Sequence, residues 1–133
     1  MTQKDKELLL KDLCARLPFM PKIKITYHQQ GIRGTDEGRV SCDFIEKIVN
    51  DLRNGVIIDM QIFLRPMSSM TDVEIAELNC LCYHNIDVQD GMLCGYVCAD
   101  EMNDVIEFLN KNMFDYCGLI EKGLALEAPE GMY

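Results

Sequence analysis

The stretch Val56-Ile-Ile-Asp-Met-Gln-Ile-Phe-Leu64 decides the fold class, because its apolar side chains recur at the two-residue period of a strand. Val56, Ile58, Met60, Ile62 and Leu64 share one face, and Ile57 and Phe63 make the other face half-apolar, as in a central strand. Arg65-Pro66 ends it, since proline has no donor for the ladder.

Outward from this strand the signals alternate in kind. Upstream, Phe44, Ile45, Ile48, Val49 and Leu52 give residues 41–54 a helical stripe, with Ser41 placed to cap and Gly55 suited to a left-handed exit. The competing reading makes residues 40–49 a second strand of a meander. Residues 31–38 are polar and glycine-rich, which predicts a loop. Residues 22–29 set Ile23, Ile25 and Tyr27 against Lys22, Lys24, Thr26 and His28, a strand with one face on a core. Before it, Thr2 and Asp5 open a helix over residues 2–17 whose stripe is Leu9, Leu10, Leu13, Cys14 and Leu17, with Cys14 expected to pack; Pro18 and Pro21 stop it.

Downstream, Thr71-Asp-Val-Glu74 is a capping box that starts a helix running to about Cys80. The Gln89-Asp90-Gly91 turn leads into a strand over residues 91–98. Asp100 is placed to cap a helix carrying Met102, Val105, Ile106, Leu109 and Met113 inward. Asp115 is placed to cap a short helix over residues 118–122, Gly123 to end it, and Leu124 and Leu126 to pack an extended tail before Pro129. Strands and helices mix without regular βαβ alternation. The expectation is therefore one α+β domain over residues 1–133, with a small, mostly antiparallel sheet packed by several helices.

Composition limits function. A chain of 133 residues can bury one core. Its formal charge of −9 repels phosphate backbones and anionic lipid, so the expected partner is protein, not nucleic acid or membrane. The basic residues Lys22, Lys24, Arg33 and Arg39 are too loosely grouped to reverse that. The first residues alternate charge with apolar side chains, unlike a signal peptide, and no apolar run approaches the roughly 18 to 20 residues that span a bilayer. With an odd count of seven cysteines, this predicts a cytoplasmic protein with free thiols.

Cys80, Cys82, His84, Cys94 and Cys98 lie within nineteen positions and are the ligand types of a tetrahedral zinc site. Their spacings, CxCxH and CxxxC, are not the paired CxxC of common structural sites, so the signal is weak, and cysteines packed as small apolar residues on a helix end and a strand are the favoured reading. Zinc is the only cofactor this pattern suggests. A thiol nucleophile needs a nearby base, for which His28 and His84 are the only imidazoles, and neither sits in a catalytic motif. Cys117 lies next to Tyr116 near an expected helix start. Among the acids, Asp36, Glu37, Asp43, Asp87, Asp90, Asp100, Glu101 and Asp104 form no calcium loop, and Gly31-Ile-Arg-Gly34 matches no phosphate-binding loop. No catalytic residue is assigned. The leading reading is a non-enzymatic protein-binding module; the alternatives are a zinc- or thiol-dependent domain and a small hydrolase.

Three segments taken together carry a resemblance: Lys4-Asp-Lys-Glu-Leu-Leu-Leu-Lys-Asp-Leu-Cys-Ala-Arg-Leu-Pro18, Leu64-Arg-Pro-Met-Ser-Ser-Met-Thr71, and Phe114-Asp-Tyr with Gly118-Leu-Ile-Glu-Lys-Gly-Leu-Ala-Leu-Glu-Ala-Pro-Glu-Gly-Met-Tyr133. They cover about a third of the chain. The chain resembles a group of small proteins without assigned activity encoded by gut Bacteroidales and by their phages and mobile elements. It departs from them at Phe19-Met20-Pro21, in Gln61-Ile-Phe-Leu-Arg-Pro66, and at Cys117, where they place an arginine. The resemblance implies a bacterial or phage accessory protein and supplies no catalytic residues. It also suggests a common frame built from the matching segments, with residues 22–61 and 79–102 presenting the recognition surface.

Overall fold

Thr2 opens the first helix as its sequence requires. Its hydroxyl accepts from the Asp5 N–H at 3.1 Å, and the Asp5 carboxylate accepts from the Thr2 N–H at 2.9 Å. Helix α1 (Gln3–Arg16) buries Leu9, Asp12, Leu13 and Arg16, followed by Leu17. Cys14 is exposed, contrary to the expectation that it packs. It lies about 100° round the helix from Leu13, off the stripe that Asp12 and Arg16 complete. The computed structural model describes residues 1–82 and 86–133.

Strand β1 (Lys22–Gln29) turns back through Gln30 and Gly31, both at positive φ (52° and 80°), into strand β2 (Ile32–Arg39). That turn matches the twist of a two-residue hairpin. The loop expected over residues 31–38 is therefore a strand, paired residue by residue with β1. Its glycines are not breakers: a Cβ at Gly34 would clash with the Tyr27 hydroxyl, so the cross-strand ring occupies the space a side chain would need.

After one 3-10 turn (Cys42–Phe44), helix α2 (Ile45–Arg53) resolves the ambiguous segment in favour of helix, burying Ile48 and Leu52. Ser41 makes no side-chain cap, whereas Gly55 exits at φ 71° as expected. Phe44 is 60% exposed.

Strand β3 (Ile57–Leu64) is central but does not alternate throughout. Thr26 pairs with Asp59 and Tyr27 with Ile57, so Ile58 is the extra residue of a bulge. The bulge turns Ile57 into the core and leaves Ile58 43% exposed, the reverse of the simple pattern. The sheet order is β2-β1-β3-β6, where β6 (Ala125–Glu127) runs parallel to β3 and the other pairs are antiparallel.

The capping box of helix α3 (Asp72–Cys80) forms as expected. Strands β4 (Asp87–Gln89) and β5 (Met92–Cys94) make a separate hairpin, so only three residues of the strand expected over residues 91–98 are extended. Helix α4 (Met102–Lys111) is preceded by Glu101, not Asp100, and Glu101 accepts from the Cys98 N–H at 3.2 Å. Val105, Leu109 and Met113 are buried and Met102 is exposed. The helix expected over residues 118–122 is a single turn. Asp115 nevertheless caps it, its two carboxylate oxygens accepting from Leu119 and Ile120 N–H at 2.8 Å each. The tail then docks: Leu124 and Ala125 are buried and Leu126 is half-buried.

Helices α1 and α2 share one core with a single face of the sheet, through Ile23, Ile57, Met60, Ile62 and Leu64. A second core gathers Met67, Leu78, Ile86, Val105, Phe108 and Phe114. The two meet at Met113 and Phe114, adjacent residues that point into different cores. This is the α+β arrangement expected from the sequence, with a small, mostly antiparallel sheet. On the sheet's other face, the register lines up Lys22, Lys24, Thr26 and His28 with Arg39, Glu37, Thr35 and Arg33, a polar surface. Phe63 on that side is covered by Lys22, whose ammonium lies 5.5 Å from the ring centroid.

Candidate functional site

The sulfur-rich set spreads over different elements. Cys80 is exposed at the end of α3, Cys82 is half-buried against the second core, Cys94 ends β5, and Cys98 is exposed before α4. His84 lies outside the described residues. Among the described residues, no three His, Cys, Asp or Glu side chains gather as metal ligands. Burial pushes the Cys82 thiol up, and the negative charge of Glu101, with Cys98 and Asp104, adds to the shift. Burial likewise raises the Cys117 thiol, with Asp12 adding to the effect. A raised thiol is mostly protonated at neutral pH and a weak nucleophile. His28 is exposed on the polar sheet face, with Arg33 as its cross-strand neighbour.

Two charged clusters are structural by geometry. The Arg16 guanidinium is fully buried and bonds Asp12 through Nε at 2.7 Å and Nη2 at 3.0 Å. Nη2 also donates to the Phe114 carbonyl at 2.8 Å. Arg65 donates to both Glu74 carboxylate oxygens at 2.7 and 2.8 Å and stacks 4.3 Å from the Phe114 ring centroid. Those hydrogen bonds hold the Glu74 carboxyl below its ordinary value, against the opposing effect of burial, and Thr71 assists. A hollow of about 590 Å³ lies between Arg65 and the tail. Arg65, the cation lining it, is already bonded, and Glu127 and Glu130 on its rim repeat the acidity of the chain. Joined by these bonds, α1, the start of α3 and the tail form a frame around Phe114.

The sheet edge differs from the frame. β2 pairs with β1 alone and stands last in the sheet, with all but Gly34 exposed. The Val40 N–H donates to the Pro21 carbonyl at 2.9 Å, so even-numbered positions of this segment face β1. Ladder alternation then turns the N–H and C=O of Arg33, Thr35, Glu37 and Arg39 outward. Charged residues are a usual means of keeping such an edge soluble. Beside it runs a mostly apolar groove of about 250 Å³, lined by Ile23, Ile25, Val40 and Ile48 with Gly38 and Phe44, and also by the charged residues Asp36, Arg39, Lys47 and Asp51. Glu37 carries two long ion pairs, 3.8 Å to each of Lys22 and Lys24, and Arg33 has no ion-pair partner among the described residues.

Sequence reasoning missed this edge because glycine and charge in residues 31–38 masked the strand. The legible signal was Gln30-Gly31 between two runs of equal length, a two-residue hairpin turn. Together these features define the class: a small α+β protein whose sheet keeps one long edge open beside an apolar groove. Comparison with protein-family models, with curated proteins and with solved structures gives no match. Among the described residues no helix is long and apolar enough to cross a membrane.

Proposed function

We propose that this is a non-enzymatic protein-binding module, an accessory protein of a bacterial mobile element or phage as its resemblance implies, and that it binds by adding a strand to β2. The observation that carries this reading is the eight-residue edge, open along its length, whose outward amides and carbonyls can be satisfied by an extended backbone. The acidic charge and the closed, self-bonded frame agree with a binding role confined to the middle of the chain. Thr35→Pro tests it: the lost N–H faces outward, so the ladder to β1 keeps its bonds while the edge is blocked. Wild type should capture a stoichiometric partner from bacterial lysate that the variant, folded by circular dichroism, does not. Equal capture by both proteins, or capture by neither from a chain that is monomeric in sedimentation, refutes the reading.

A further inference from the structure

We infer that the strand taken up by β2 is β2 of a second copy, paired antiparallel about a two-fold axis at Thr35; this rests on reading β2 as a binding edge. Backbone parity limits the possible registers, and two further observations select one of them. Because only odd-numbered residues turn their backbone groups outward, an antiparallel copy must place odd positions opposite odd positions. Centring on Thr35 puts Arg33 opposite Glu37 of the second copy and, by symmetry, Glu37 opposite its Arg33. Both pairs lie on the polar face and are attractive. Centring on Asp36 instead sets Asp36 against Asp36 and Arg33 against Arg39, while centring on Gly34 makes no ion pair. The strand carries two cations and two anions, so the edge itself is neutral within an acidic molecule.

The core-side face agrees with that register. Ile32 is 67% exposed in the single chain. In the Thr35-centred pair it stands opposite Gly38 of the second copy, whose missing side chain opens the groove between Ile25, Val40 and Phe44. An exposed apolar knob thus meets an apolar hollow of about 250 Å³, and the match occurs twice. Asp36 falls opposite Gly34 of the second copy, over which that copy's Tyr27 hydroxyl lies, a donor for the carboxylate.

Sedimentation velocity of the full chain should show a concentration-dependent species of twice the 15.2 kDa chain mass. Arg33→Glu and Glu37→Arg should each weaken self-association by roughly tenfold or more, since each change creates two like-charge contacts per dimer. An equimolar mixture of the two variants should associate as a heterodimer, because both of its pairs are again opposite in sign. Both side chains are exposed, so each variant should stay folded by circular dichroism, with Glu37→Arg somewhat destabilised because it replaces the long pairs to Lys22 and Lys24 with like charge. A wild-type chain that stays monomeric at millimolar concentration overturns the second copy, as does a dimer indifferent to the charge swaps. A monomer that still loses a heterologous partner on Thr35→Pro refutes this inference alone. A monomer whose partner capture is unchanged by Thr35→Pro refutes the binding edge as well.

Discussion

Removing Asp12 tests whether the Asp12–Arg16 pair is a buried charge pair or an ordinary helix surface contact. The two residues are four apart on α1, and exposed pairs at that spacing contribute about 0.3–0.5 kcal/mol. Here the side chains are 1% and 0% exposed, and Arg16 Nη1 has no hydrogen-bond partner. Taking away the carboxylate leaves a guanidinium in the core with the Phe114 carbonyl and the Tyr116 ring, 5.3 Å from its carbon to the ring centroid. Such an orphaned charge costs about 3–5 kcal/mol. An unfolding entropy of about 2.1 cal/mol/K per residue converts that to a fall in Tm of about 11–18 °C for a chain of this length. Asp12→Ala should show the loss in urea unfolding followed by circular dichroism, with an unchanged m-value. Asp12→Leu with Arg16→Met removes both charges and should recover most of it, since the Phe114 carbonyl still accepts from the Tyr116 N–H at 3.1 Å. A cost below about 1 kcal/mol for Asp12→Ala would refute the argument, since that is the scale of a solvated pair.

Three further outcomes follow from the same geometry. The Tyr133 hydroxyl donates to the Phe63 carbonyl at 2.9 Å and accepts from the Lys22 N–H at 3.0 Å, and Leu124 is 6% exposed. Leu124→Ala should therefore cost about 2–5 kcal/mol, and removing residues 123–133 should lower Tm sharply; an unchanged Tm in either case means the tail does not pack. Glu74, whose carboxyl is held below its ordinary 4.5 by Arg65, favours the folded state whenever it is ionised. Its contribution is complete above that value and disappears as pH falls through the lower folded value. The stability gap between wild type and Glu74→Gln should therefore close on acidification, and a constant gap contradicts it. Gln30 sits at φ 52° without the tolerance of asparagine, so Gln30→Asn should raise stability by up to about 1 kcal/mol in thermal unfolding.

Local signals read correctly where one physical effect dominated. The N-cap at Thr2, the capping box at Thr71, the Gly55 exit and the Asp115 cap all formed because each satisfies backbone donors or a positive φ within a few residues. Ile57 and Ile58 exchanged faces because a bulge is set by pairing with β1, which the pattern within β3 does not contain. Gly34 and Gly38 read as loop residues since their roles, space for the Tyr27 ring and one wall of the groove, belong to neighbouring strands and a helix. The burial of Arg16 and Asp12 has no signal within α1, because it depends on Phe114, nearly a hundred positions away.

That last contact also explains why the two ends of the chain behave as one unit. Arg16 reaches the Phe114 carbonyl from α1, and Arg65 holds the same residue from β3's end through a ring stack and through backbone bonds to Met113 and Asp115. Asp115 then caps the turn that delivers Leu124 and β6 to the sheet. Two links in this series, Arg16 to Phe114 and Arg65 to Met113 and Asp115, join residues distant in sequence, so a change at one end is felt at the other. β2 stands outside the series. It is joined to the rest by the β1 ladder and by Arg39, whose guanidinium donates to the Met20 and Met132 carbonyls at 3.1 and 3.2 Å. Substitutions at Arg33, Thr35 or Glu37 therefore alter the edge without loosening the frame, whereas Asp12, Arg65 and Leu124 govern the frame without touching the edge. A double-mutant cycle combining Asp12→Ala with Arg33→Glu should accordingly be additive in stability, and coupling above about 0.5 kcal/mol would show that edge and frame are not separate.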